Sequence, residues 1–163
     1  MPLPAGRVTS DGQTSNIFTG ANYTEGLLVG YRYYDAHQIR FTSGFPFGHG
    51  LSYTTFEYAS LKVTPTEVSF TLANSGTQPG AEVPQLYLEF PPEAGEPPRV
   101  LRGFSKHYLT PGESKVVRFP ITQASTRFWD VLGRGWKQAP GVFGVYVGSS
   151  SRDARLAGKL RVA

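Results

Sequence analysis

A chain of 163 residues can bury one sizeable core and carry an appendage. Its 19 glycines and 13 prolines, set against only 17% charged residues, favour short strands and turns, and the lack of cysteine excludes disulfides, thiol catalysis and cysteine-type zinc sites. The net charge of +4 is scattered rather than gathered into a basic run, which argues against a nucleic-acid surface, and no apolar run approaches the ~20 residues of a membrane helix.

Residues 1–24 read as irregular. Pro2, Pro4, Gly6, Gly12 and Gly20 punctuate a polar stretch whose only large apolar pair is Ile17-Phe18. Such a stretch buries too little surface to offset its ordering entropy unless it packs on something else. It lacks the charged-then-apolar layout of a signal peptide. Asn22-Tyr23-Thr24 fits the N-glycosylation pattern, making Asn22 a candidate modification site in a secreted eukaryotic protein.

Residues 27–34, LLVGYRYY, are rich in apolar and aromatic residues and apolar on both faces at the start, and this predicts a strand buried on both sides. Residues 44–50, GFPFGHG, then break regular structure, with Phe45 and Phe47 available to pin the loop to a neighbouring surface. The domain boundary is placed here. Residues 1–50 form an arm and linker, and residues 51–163 form the folded unit.

From Leu51 the pattern repeats. Residues 56–63 form a first strand and residues 67–74 a second, with Val68, Phe70 and Leu72 on one face. A third runs over residues 81–90 with Leu86, Leu88 and Phe90 inward. Val83 has the wrong parity and precedes Pro84, which predicts a bulge or an edge position. A fourth strand covers residues 100–109, followed by a Thr110-Pro111-Gly112 turn of type II character. Residues 115–121 place Val117, Phe119 and Ile121 inward. Residues 128–130 and Trp136 flank a glycine turn, and residues 142–148 and 156–162 close the series. Seven or so short strands with turn signals about every ten residues specify an all-β fold, an antiparallel β-sandwich with an extended, largely irregular N-terminal arm.

The stretch EGLLVGYRYYD followed by FPFGHGLSYTTFEY resembles the junction near the C-terminal end of glycoside hydrolase family 3 β-glucosidases. GAEVPQLYL, LRGFSKHYLTPGES, FWD and GVFGVYVGSSSRDARLAG resemble the fibronectin type III-like module that follows that junction. The likeness covers residues 23–158. It implies a fibronectin type III-like (immunoglobulin-like) sandwich that belongs beside a catalytic barrel and an α/β domain, with a β-glucan or plant polymer as a further partner. A β-xylosidase is the alternative parent, and the EGLLVGYRYYD form favours a β-glucosidase. A parent of this kind implies an extracellular setting.

The resemblance also implies that the catalytic carboxylates lie in other domains, so this chain alone is expected to be inactive. Glycoside hydrolysis needs two carboxyls flanking the bond. Asp35 and Asp130 follow aromatic residues that could desolvate them. The simpler reading makes Asp35 a cap on the Ala36-His37 turn and Asp130 a turn residue after a core tryptophan. His37, His49 and His107 share no metal-ligand spacing, and no cofactor is expected. Ser149, Ser150 and Ser151 read as a polar strand-end loop and not as nucleophiles.

Aromatic platforms for sugar stacking remain open, with Tyr31, Tyr33, Tyr34, Trp129 and Trp136 as the residues available. The expectation is that both tryptophans fill the core. Tyr31, Arg32, Tyr33 and Asp35 are the candidates for contact with a sugar or with a neighbouring domain. Arg152, Arg155, Lys159 and Arg161 read as the solvated face of a last strand.

Overall fold

A computed structural model describes residues 24–40 and 44–162, together with the backbone of residues 7–8 and 14–15. Asn22 lies outside the described residues. Strands β1 (Arg7–Val8) and β2 (Thr14–Ser15) pair with each other, and a short helix α1 (Tyr31–Ala36) follows. The next strands are β3 (Phe56–Val63), β4 (Glu67–Asn74), β5 (Gly80–Glu82) and β6 (Gln85–Glu89). After them come β7 (Val100–Phe104), β8 (His107–Leu109) and β9 (Ser114–Pro120). A hairpin of β10 (Arg127–Asp130) and β11 (Gly135–Gln138) precedes the long strands β12 (Gly141–Ser150) and β13 (Asp153–Val162).

Two antiparallel layers make the sandwich. One has the order β3-β4-β9 and the other β13-β12-β6-β7. Their inner faces supply the core expected from the alternation: Phe70 and Leu72 from β4, Leu86 and Leu88 from β6, and Phe143 and Val145 from β12 are all buried. Each such side chain contributes about 1.5–3 kcal/mol on leaving water. Gly103 on β7 faces Phe119 of β9 so closely that an added Cβ would meet the ring at 3.2 Å, and the ring would have to give by a few tenths of an ångström to accept it.

Two expected strands are each divided. The third breaks at Val83-Pro84 into β5 and β6, and the fourth breaks at Ser105-Lys106 into β7 and β8. Proline offers no amide hydrogen to the ladder, so the odd parity of Val83 marks a true interruption. Beyond it β5 and β8 pair as a separate corner ribbon, held towards the β3-β4-β9 layer by Tyr58 Oη, which donates to Glu82 at 2.7 Å. Asn74 secures the same corner, its amide donating to the carbonyls of Leu109 and Gln78. The Thr110–Glu113 turn closes as predicted, with Glu113 N–H donating to the Thr110 carbonyl at 3.0 Å.

The strand expected over residues 27–34 is absent. Residues 24–27 form a turn, and Tyr31–Ala36 is helical. Gly30, at φ 63 and ψ −132, takes the backbone out of the extended region, and the Tyr33 amide then bonds back to the Gly30 carbonyl. Leu27 and Val29 are exposed rather than buried on both sides. An apolar run makes a strand only where another strand offers a ladder, and none lies beside this one among the described residues.

Candidate interdomain surface

Tyr87 is where the outer face of the four-stranded layer departs from an ordinary solvated sheet. Alternation on β6 sends Leu86 and Leu88 inward and Tyr87 outward, yet Tyr87 is only 2% exposed. Its ring meets the edge of Tyr31 at 6.1 Å, and its hydroxyl donates to Gln85 Oε1 at 2.6 Å. Burial, followed by the proximity of Tyr31 and Asp35, pushes the Tyr87 hydroxyl well above the usual phenol range. The Gln85 amide in turn donates to the carbonyls of Ser149 and Gly48 at 2.7 and 2.9 Å. Gly48 sits at φ 81, and a Cβ there would collide with the Gln85 amide group, so glycine alone allows this closeness.

Helix α1 forms the roof over this floor. Tyr31 stacks on Phe47 with centroids 4.8 Å apart and planes 16° from parallel, and its hydroxyl accepts the Leu101 amide at 3.2 Å. One turn on, Asp35 Oδ1 accepts from Arg152 Nε at 3.1 Å, and Arg152 also donates to the Ile39 carbonyl at 2.9 Å. The Phe47 carbonyl accepts the Ser151 amide at 2.9 Å. Positions 31 and 35 share a helix face, which is why both reach the sheet while Tyr33 does not. Tyr33 lies 41% exposed against His37. Arg32 reaches over the Tyr31 ring at 5.8 Å. Of the four candidate contact residues, the structure therefore gathers Tyr31, Arg32 and Asp35 and leaves Tyr33 outside.

Phe47 pins the loop as expected, but Phe45 is 73% exposed and stacks on the neighbouring His49. The three histidines are separate, and among the described residues no group of three or more potential ligands could hold a metal ion. Asp130 is a turn residue, its Oδ1 accepting the Leu132 amide at 3.2 Å. Two of the four terminal basic residues are not merely solvated. Arg152 pairs with Asp35, while Arg155 pairs with Asp153 and donates to the Phe56 carbonyl.

Trp129 and Trp136 are not core residues. They stand directly opposite each other on β10 and β11, 50% and 65% exposed, with rings 5.7 Å apart and 80° from parallel. The hairpin forms a sheet of its own two strands, and its tip residues Val131 and Leu132 are also exposed. The rings are perpendicular, so the pair is no flat platform.

Beside the roof lies an open groove of about 500 Å³, lined by Phe47, Leu51, Val83, Leu101, Phe104 and Lys106 among others. Phe104 is 67% exposed, and Leu51 and the nearby Tyr53 are almost wholly so. Polar residues share the lining, among them Glu82, Gln85 and Ser149. Sequence reasoning missed Gln85 and Phe104. The odd parity of Val83 was the one available signal, since residues on both sides of that break, Glu82, Val83 and Gln85, line the groove.

A protein-family model described as "Fibronectin type III-like domain" matches residues 82–151. Probable β-glucosidase D of Aspergillus flavus is 44% identical over 161 aligned residues, covering 84% of this chain and 21% of that protein. The protein of the same name from Emericella nidulans is 36% identical, covering 98% of this chain and 23% of its own length. Among solved structures, β-glucosidase D2-BGL from Chaetomella raphigera superposes with a TM-score of 0.83 at 38% identity, covering 87% of this chain and 23% of that one. β-D-glucoside glucohydrolase from Trichoderma reesei gives 0.82 at 35% identity, covering 95% and 25%. The chain thus spans about a fifth of the length of the curated relatives it matches.

Proposed function

The chain is a fibronectin type III-like module matching the C-terminal region of family 3 β-glucosidases, and from that premise we propose that it is a non-catalytic part of such an enzyme, supplying interdomain packing and stability. The carrying observation is the apolar groove beside Phe104, left open where helix α1 already roofs the adjoining sheet face. In this reading residues 1–50 are the arm and linker, residues 51–163 are the sandwich, and the groove receives the catalytic barrel or α/β domain of an exported parent that hydrolyses terminal β-D-glucosyl groups. A β-glucosidase parent fits better than a β-xylosidase, on the names of the relatives. Neither singled-out carboxyl supports hydrolysis by this chain. Asp35 is held by Arg152, the cleft beside it shows no second carboxyl among its lining residues, and Asp130 is engaged in its own turn.

The test is a chimera in which this chain replaces the matching quarter of the Trichoderma reesei enzyme. Phe104→Asp is expected to lower the Tm of the chimera by several degrees and to leave that of the isolated chain nearly unchanged, because Phe104 is exposed in the latter. Equal shifts in both contexts would refute packing through this groove.

One observation favours a second reading. The exposed Trp129 and Trp136 leave aromatic surface available to a β-glucan or plant polymer. Depletion of the chain by insoluble β-glucan, lost in Trp136→Ala, would support it, and equal depletion of both would reject it.

A further inference from the structure

Helix α1 and the β12–β13 turn enclose a second cleft, of about 320 Å³, which shares no lining residue with the Phe104 groove. Three guanidiniums line it, each from a different element. Arg40 follows α1, Arg99 precedes β7, and Arg152 lies in the β12–β13 turn. The one carboxylate in the lining is Asp35. The wall is therefore net positive.

That carboxylate does not cancel the charge where a ligand would meet it. Asp35 Oδ1 accepts from Arg152 Nε at 3.1 Å, and Oδ2 is buried out of reach of solvent. Asp35 thus positions Arg152, which also donates to the Ile39 carbonyl at 2.9 Å. The Arg99 guanidinium is set over the Tyr146 ring at 4.1 Å. Stacking of this kind leaves a guanidinium charged, with its N–H donors at its edge and clear of the ring face. The Tyr146 hydroxyl is itself taken up by Glu89, to which it donates at 2.6 Å. Neither Arg40 nor Arg99 forms an ion pair among the described residues. Glu96 stands close to Arg99 in sequence, but it is faced by Arg102 and Arg32 and does not line the cleft.

Two guanidiniums without a carboxylate, beside a third that is held in position, call for an anion. Its shape follows from where the donors come from. A planar carboxylate presents both oxygens to one side. Donors arriving from three separate elements are met better by a tetrahedral oxyanion, which turns an oxygen towards each. The volume suits one small molecule and not a chain segment.

We propose that this cleft binds a tetrahedral dianion of the phosphate class, free or as a monoester. Arg40 and Arg99 are the donors, and Arg152, positioned by Asp35, supplies the third positive charge. The site is independent of the packing role of the Phe104 groove.

The experiment is an amide-resolved NMR titration of the full chain at constant ionic strength and mildly alkaline pH, where phosphate is mostly dianionic. Inorganic phosphate and methyl phosphate form two arms, and the tighter binder shows whether the free ion or the monoester is the preferred form. Acetate and sodium chloride are the controls. Saturable shifts are expected at Ile39, Arg40, Arg99 and Arg152 with at least one phosphate, and weaker binding of acetate. Arg99→Ala and Arg40→Gln are each expected to raise the Kd about tenfold, the effect of losing one charge-assisted hydrogen bond. Arg118→Ala, which removes a guanidinium paired with Glu67 on the other layer, is expected to leave the Kd unchanged. An unmoved Leu101 amide shows that the helix stays docked, and where one cleft variant releases it the other decides. The proposal is overturned by unsaturable shifts with both phosphates, by an equal response to chloride, by acetate binding as tightly, or by unchanged affinity in the docked variants. Each of these outcomes makes the three arginines a solvated basic face.

Discussion

Tyr31 with Phe47 and Trp129 with Trp136 are aromatic pairs of comparable separation, 4.8 and 5.7 Å, one seated on the sandwich and the other on a separate hairpin. The first pair lies over a sheet face whose floor is the buried Tyr87, and it is further tied by a hydrogen bond to Leu101. The second pair belongs to a hairpin whose strands form a ladder only with each other. Exposure alone hardly separates them, since Phe47 is 48% exposed and Trp129 50%. What separates them is the buried Tyr87 ring beneath Tyr31, for which the tryptophan pair has no counterpart of its own. The hydrogen bonds then follow the same division. Gln85, Asp35 and Arg152 bind the first region to segments far away in sequence, while Asp130 bonds only within its own turn.

The contrast is sharpest at the floor. Tyr87→Ala removes a fully buried ring and leaves the Gln85 amide oxygen without its donor, so a loss of about 3–5 kcal/mol in denaturant unfolding is expected. A smaller loss would mean that the roof closes over the gap. Tyr31→Ala is next, with an expected cost of about 1–2 kcal/mol from the lost stacking and hydrogen bond. Hydrogen exchange at the Leu101 amide should accelerate in that variant while the core amides of Val117 and Phe119 keep their protection. Trp136→Ala comes last, at below about 1 kcal/mol, since truncating an exposed residue opens no cavity. A cost above 3 kcal/mol there would erase the distinction between the two pairs.

The sandwich was legible because a half-buried strand writes its burial into every second residue. Val68, Phe70 and Leu72, or Leu86 and Leu88, announce both the strand and the face that is buried. Period-two alternation carries no information about which sheet a strand joins. The passage from β5 to β6 was therefore visible only as a parity fault at Val83-Pro84. The run LLVGYRYY was misread for a related reason. An apolar-rich stretch this short has too little periodicity to test, and an aromatic helix turn at Tyr31 looks the same as a buried strand. The tryptophans were misplaced because hydrophobicity was taken as burial, and an exposed hairpin breaks that inference. Gln85 could not be found at all, since its two carbonyl partners lie 37 and 64 residues away.

Those separations also set an order of events during folding. The Gln85 amide bridges Gly48 on the incoming loop and Ser149 near the end of β12, so its two bonds require three distant segments to be in place together. The Arg152 bond to Asp35 spans 117 residues and depends on the turn between β12 and β13. Closing such long loops costs chain entropy before any contact repays it, so nearby hairpins such as β3–β4 form at lower cost. The arm has no complete landing surface until the closing hairpin is paired. Its docking is consequently a late, post-nucleation step, and substitutions at Tyr31 or Phe47 are expected to act on the rate of unfolding and to leave the rate of folding nearly untouched.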